Sequence, residues 1–145
     1  MKRFTLVALF VCALCTIASA RGKQPITFER LPKVVQEEIQ KNYQPSELLL
    51  ITSKKVMPRH YEYTFNTADG TKLVFTNKAV LHNAENIQGV KDAFVPEKVL
   101  TYVKETFPNA TVTEYRLEYG VHKVELNSAM TLLFTKSGKF LRIDD

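Results

Sequence analysis

Cysteine is almost missing from this chain. Its two cysteines among 145 residues are Cys12 and Cys15, both within the first twenty positions. Without that stretch the chain holds no thiol, which excludes a disulfide framework, a thiolate metal site and a cysteine nucleophile. Tryptophan is absent and there are only five glycines, so no glycine-rich loop is available to cradle a phosphate. Beyond residue 20 the serines are Ser46, Ser53, Ser128 and Ser137, and none sits in a G-x-S-x-G elbow. The three histidines, His60, His82 and His122, are too far apart in sequence for a local zinc spacing. No catalytic residue, metal ligand or cofactor is therefore assigned, and a hydrolase is the least supported reading.

A dense run of one charge is also missing. The formal net charge is +5, and the densest basic pair is Lys54-Lys55. A nucleic-acid binder would show a basic stripe. The one long apolar run is Phe4 to Ile17, broken only by Thr5 and Thr16. Lys2 and Arg3 precede it and Ala18-Ser19-Ala20 follows, the layout of a secretory signal peptide cleaved near Ala20. It is shorter than the about 20 apolar residues a membrane span needs. Lipid attachment at a cysteine is disfavoured, because Val11 and Leu14, rather than small residues, precede Cys12 and Cys15. The expected organisation is a signal peptide over 1–20 and one domain over 21–145, periplasmic or secreted, with no transmembrane segment. Removing Lys2 and Arg3 lowers the net charge from +5 to +3.

What is present is a repetition. KLVFTNKAVL at 72–81 returns as TLLFTKSGKF at 131–140, an offset of 59 residues. Upstream, Leu31-Pro32 is answered by Val95-Pro96. Leu31, Val35, Ile39 and Tyr43 recur every four residues, as do Val95, Val99, Val103 and Phe107, so each set keeps to one stripe of a helix. Pro32 and Pro96 suit a first helical position, where a missing N–H is harmless; Pro45 and Pro108 end the helices. After each helix the period becomes two. Thr113, Tyr115, Leu117 and Tyr119 alternate with charged residues, Gly120 permits a turn, and His122, Val124 and Leu126 resume the alternation. Opposite charges are expected to pair across the outer surface of this hairpin. Strands are predicted at 130–136 and 139–143, and in the first copy at 47–56, 60–66, 71–76 and 79–83, with Asp69-Gly70 as a turn. Tyr63-Thr64-Phe65-Asn66 is matched to Val124-Glu125-Leu126-Asn127, which predicts that Tyr61, Tyr63 and Phe65 all face the core. ENIQGVKDAF, 85–94, reads as a polar linker.

The predicted class is α+β, with two tandem helix-plus-four-strand units, about 28–84 and 94–145. One antiparallel sheet would carry both helices on one face, because a single unit has little area to bury. The Leu-Pro or Val-Pro helix start, the Tyr-Glu-Tyr-Thr-Phe and Lys-Val-Glu-Leu strands and Leu-Leu-Phe-Thr-Lys-Ser-Gly-Lys-Phe-Leu together resemble the PepSY-like, β-lactamase-inhibitor-like family of exported bacterial proteins, over about residues 28–145. The resemblance implies tandem αββββ units and a non-catalytic role, and it carries no functional residue across. Members often have an acidic turn such as Asp-Lys-Asp-Gly where this chain has Thr135-Lys136-Ser137-Gly138, and some are called calcium-regulated; the substitution argues against such a role here.

The sheet face away from the helices is the expected binding surface, through Glu62, Glu114, Arg116, Glu118, Lys123 and Glu125, with Thr64 beside them. Its expected partner is a protein or peptide in the periplasm, with inhibition of a secreted enzyme as one outcome. The alternative is a calcium-responsive or structural envelope protein. Against calcium, Asn66 to Gly70 offers one carboxylate and reads as a solvated turn.

Overall fold

Except where a helix intervenes, tight turns join each strand to the next, and the result is a meander. The computed structural model describes residues 22–144; the signal-peptide expectation for 1–20 lies outside them. Among the described residues the elements run β1 (Gln24–Pro25), α1 (Lys33–Gln40), β2 (Leu48–Met57), β3 (His60–Thr67), β4 (Lys72–Thr76), β5 (Leu81–Glu85), α2 (Glu97–Thr106), β6 (Val112–Glu118), β7 (Val121–Leu126), β8 (Thr131–Phe134) and β9 (Phe140–Asp144). The strands form one nine-stranded sheet in strict sequential order, antiparallel throughout.

One row of the sheet shows how the core is built. Ile51 faces Phe65, which faces Leu73, then Ala84, Tyr115, Val124 and Leu132. These seven side chains, one from each of seven neighbouring strands, are all buried. Val35 and Ile39 of α1 and Val99 and Val103 of α2 join the same core. Each such valine, leucine, isoleucine or phenylalanine contributes about 1.5–3 kcal/mol relative to exposure. Between α2 and the last strands, Tyr102 stacks on Phe140 at 4.7 Å and meets Phe134 edge-on at 5.4 Å.

Both helices start one residue later than the sequence suggests. Pro32 and Pro96 have extended ψ values of 140° and 136° and occupy the cap rather than the first turn, a shift within the usual uncertainty of helix ends. The segment after β5 is anchored more firmly than a polar linker: Asn86, Val90 and Phe94 are buried, and Phe94 stacks on Tyr43 of the first half. β1 has no counterpart in the sequence prediction.

The registers of the two halves coincide. Ile51 faces Phe65 as Tyr115 faces Val124, and Tyr63 faces Phe75 as His122 faces Phe134. The bulge at Leu48/Leu50 recurs at Val112/Glu114, and the one at Val74/Phe75 recurs at Leu133/Phe134. Tyr63 therefore corresponds to His122 and Phe65 to Val124, two residues off the match made from the sequence. The first half's extra residues lie in the β2–β3 hairpin, which projects beyond its counterpart. That corrects the expectation for Tyr61. It stands on the projecting part and is 37% exposed, while Tyr63 and Phe65 are buried. Tyr119 is likewise not a strand residue. It sits in the turn after β6 with φ +49°, fully exposed, beside Gly120 at φ +77°. Two successive left-handed residues suit a tight hairpin, and the cost of that backbone falls on the tyrosine.

Candidate functional site

The outer face carries four of the predicted site residues, Glu114, Arg116, Lys123 and Glu125, in two bands that run across the strands. In the first band Lys72 faces Glu85, which faces Glu114, then Glu125, Thr131 and Asp144. In the second, Asn83 faces Arg116, which faces Lys123, then Leu133 and Arg142. An acidic band thus lies beside a basic one, two residues along each strand, or about 7 Å.

This corrects the pairing expected for the β6–β7 hairpin. Directly opposite residues are of like charge, Glu114 with Glu125 and Arg116 with Lys123, an arrangement that destabilises an isolated pair. The ion pairs run along β6 instead: Arg116 bonds Glu114, and reaches Glu118 at 3.2 Å. These acceptors, Glu114 foremost, hold the Arg116 guanidinium above its usual pKa against the opposing effect of burial. Asn83 donates to Glu114 at 2.7 Å, Lys72 lies 3.2 Å from Glu85, and Lys123 lies 3.7 Å from Asp144. Glu114, Arg116, Lys123, Glu125 and Thr131 line a hollow of about 130 Å³.

The structure brings five of the six predicted residues together on β6 and β7: Glu114, Arg116, Glu118, Lys123 and Glu125. Glu62 stands apart on β3, where its carboxylate meets His82 Nδ1 at 3.3 Å. Thr64 shares the outer face yet is only 4% exposed, so it presents little to a partner. Among the described residues, no group of three or more histidine, cysteine or acidic side chains is placed to hold a metal ion.

Two polar clusters escaped the sequence reading. Asp69, expected in a solvated turn, is a hub. Its carboxylate accepts from Tyr43 Oη at 2.9 Å, Thr67 Oγ1 at 2.5 Å and the Thr71 N–H at 3.0 Å. Lys91 approaches at 3.4 Å while lying 3.8 Å over the Tyr43 ring. Burial opposes ionisation of Asp69, but the bonds from Thr67, Thr71 and Tyr43 outweigh it and hold the carboxyl well below its usual range. A Thr-x-Asp-Gly-Thr turn is the one signal that could have drawn notice to it, since Asp commonly bonds the backbone two residues on.

The second cluster is buried under the sheet. His122 Nε2 is 3.0 Å from the Lys136 carbonyl, to which it must donate, so Nδ1 accepts from Tyr115 Oη at 3.0 Å. Burial pushes the Tyr115 hydroxyl up to about 12. Because the folded-state pKa exceeds the unfolded value near 10, the associated stability is complete below pH 10 and lost as pH rises through 12. Tyrosinate absorbance should therefore show one group titrating last, together with unfolding; Tyr115→Phe should abolish that final step.

The family model described as putative beta-lactamase-inhibitor-like, PepSY-like matches twice, at residues 19–83 and 68–142. No curated protein matches the chain. Among solved structures, one from Bacteroides thetaiotaomicron, described as a putative calcium-regulated periplasmic protein, superposes with a TM-score of 0.75 at 21% identity, covering 85% of this chain and 97% of that one. A putative periplasmic protein from Bacteroides vulgatus gives a TM-score of 0.75 at 20% identity, covering 87% and 99%. Another from the same species, of unknown function, gives 0.75 at 21%, covering 86% and 100%. These likenesses establish a shared fold, and the two model matches, which together span nearly the whole described chain, establish more: the protein belongs to the PepSY-like family, described as putative beta-lactamase-inhibitor-like.

Proposed function

We propose that this chain is a non-catalytic, exported binding module that docks a protein partner through the outer face of its sheet, centred on β6 and β7. The observation that carries the reading is the pair of charged bands on a face that no helix covers among the described residues. Glu114 and Glu125, with Arg116 and Lys123 beside them, offer a rigid pattern of both signs, which favours one orientation of a partner and repels others. The inhibitor-like description of the family and the periplasmic description of its solved relatives support the same reading, with a secreted or envelope enzyme as the partner. The matching registers of the two halves support an internal duplication whose purpose is a sheet wide enough to dock on.

The test is capture from envelope extract by the chain from residue 21, run beside the double variant Glu114→Lys/Glu125→Lys. Wild-type protein should retain a stoichiometric partner that elutes with salt, and the variant should bind it at least tenfold more weakly. Equal retention by both would remove the acidic band from the interface. The second reading, a calcium-responsive envelope protein, draws on the row Glu85, Glu114 and Glu125 and on the description of one relative. Calcium would have to displace Lys72, Asn83 and Arg116 from these carboxylates. Saturable heat in calorimetry with calcium would favour it, and a flat trace would remove it.

A further inference from the structure

The joint between the two halves is a strand pairing in which Asn83, Ala84 and Glu85 of β5 face Arg116, Tyr115 and Glu114 of β6. By the matching registers, β9 corresponds to β5, with Arg142, Ile143 and Asp144 in those places. β2 corresponds to β6, with Thr52, Ile51 and Leu50 in the mating places. Each end of the molecule thus repeats one half of its own central joint.

Both end edges show the marks of a missing neighbour. β9 has no strand on its outer side among the described residues, and Leu141 and Ile143 are 51% and 42% exposed. On β2, Leu49 and Leu50 are 70% and 47% exposed. Thr52 Oγ1 is buried and lacks a hydrogen-bond partner among the described residues. What occupies the β2 edge is β1, with only two residue pairs, Gln24 with Ser53 and Pro25 with Thr52, and one bond beyond them from Ile26 N–H to the Ile51 carbonyl at 3.0 Å. Pro25 has no N–H to give. β1 therefore overlaps the mating residues Ile51 and Thr52 but holds them weakly.

We propose that β1 is a plug on a self-assembly edge: when it leaves, β9 of one copy adds to β2 of the next, repeating the β5–β6 joint between molecules. The pairing sets Ile143 against Ile51, Asp144 against Leu50 and Arg142 against Thr52. No like charges meet, and the exposed Leu50 gains a neighbour. Arg142 brings a hydrogen-bond donor to the face of Thr52. Because the contact is head to tail, a pair of copies leaves one edge of each unused, so the product is a chain or ring of subunits rather than a two-fold dimer. Exposed edges of this kind are managed in folded proteins by covering them, which is the role left to two residues here.

The chain's lack of thiols after residue 20 makes the test direct. Leu50→Cys and Asp144→Cys occupy positions that would face one another between copies, as Glu114 and Glu85 do within one. In the chain from residue 28, which lacks β1, mild oxidation should give a ladder of linked multimers, and light scattering without the cysteines should give masses that rise with concentration. The chain from residue 21 with the same cysteines should link at least tenfold less. A trimmed chain with native circular dichroism that stays monomeric and unlinked would overturn the proposal. Should trimming prevent folding, Ile26→Pro in the chain from residue 21 removes the donor to Ile51 and should raise linking in the same way; a folded Ile26→Pro protein that does not link equally overturns it. Partner capture through Glu114 and Glu125 uses a different surface, so that reading stands or falls separately.

Discussion

Phe134→Ala should lower the stability of the protein by about 3–5 kcal/mol, the range for removing a large aromatic from a closed core. Phe134 is fully buried. It meets Tyr102 of α2 at 5.4 Å and Phe140 of β9 at 5.7 Å, both edge-on, and pairs across the sheet with His122. Truncation removes contacts to a helix and two neighbouring strands at once, and the stacked Tyr102 and Phe140 rings hold each other in place, so the hole cannot easily collapse. A domain of this size has a total stability of roughly 5–15 kcal/mol, so a fifth or more of it should go. Urea unfolding should show a lower midpoint at an unchanged slope. Ile87→Ala, at an 86% exposed position, should stay within about 0.5 kcal/mol. A loss below about 1 kcal/mol for Phe134→Ala would mean that α2 does not depend on this contact.

Asp69→Ala is the second large effect. It strands the Tyr43 hydroxyl, leaves the Thr67 hydroxyl and the Thr71 backbone only their bonds to each other, and removes the carboxylate that Lys91 approaches. Bonds to a charged acceptor contribute about 1.5–3 kcal/mol each, but Asp69 keeps 39% of its side chain exposed, so solvent screening reduces the sum to one such bond's worth, about 2 kcal/mol. For a domain of this length that lowers Tm by roughly 5–10 °C. The pH dependence follows from the depressed carboxyl pKa. The unfolded chain takes up the proton first, so the stabilisation is complete above the ordinary value of 3.8 and disappears as pH falls through the lower folded-state value. Thermal unfolding at pH 7, 4 and 2.5 should show the wild type converging on Asp69→Asn as acid is added. A gap that is unchanged at pH 2.5 would show that the ionised carboxylate is not what the Tyr43, Thr67 and Thr71 donors stabilise.

The sequence made the meander legible because its period changes cleanly, from four in Leu31–Tyr43 to two in Thr113–Leu126. The turns carry unmistakable residues as well. What it hid is instructive. Matching Tyr63 to Val124 is the better fit by residue type, yet the backbone pairs Tyr63 with Phe75 and His122 with Phe134. A histidine can take a tyrosine's place in the core only because Tyr115 and the Lys136 carbonyl satisfy both its nitrogens, and that partnership spans separate strands. The charged face was legible as a set of residues, five of which converge, but not as bands. Whether Glu114 meets a lysine or a glutamate depends on register, which alternation alone does not fix. β1 was invisible for a simpler reason: two residues, one of them proline, have no periodicity.

The strict order of the strands bears on how the molecule comes into being. Every strand after the first two residues of β1 pairs with its immediate predecessor in the chain, so no segment has to wait for a distant one. A polypeptide delivered N-terminus first, as from a secretion pore, could lay down the sheet hairpin by hairpin while the rest is still threading. At each moment the growing edge would be the next strand's template, and the last edge laid down, β9, is the one that no strand of the described residues covers.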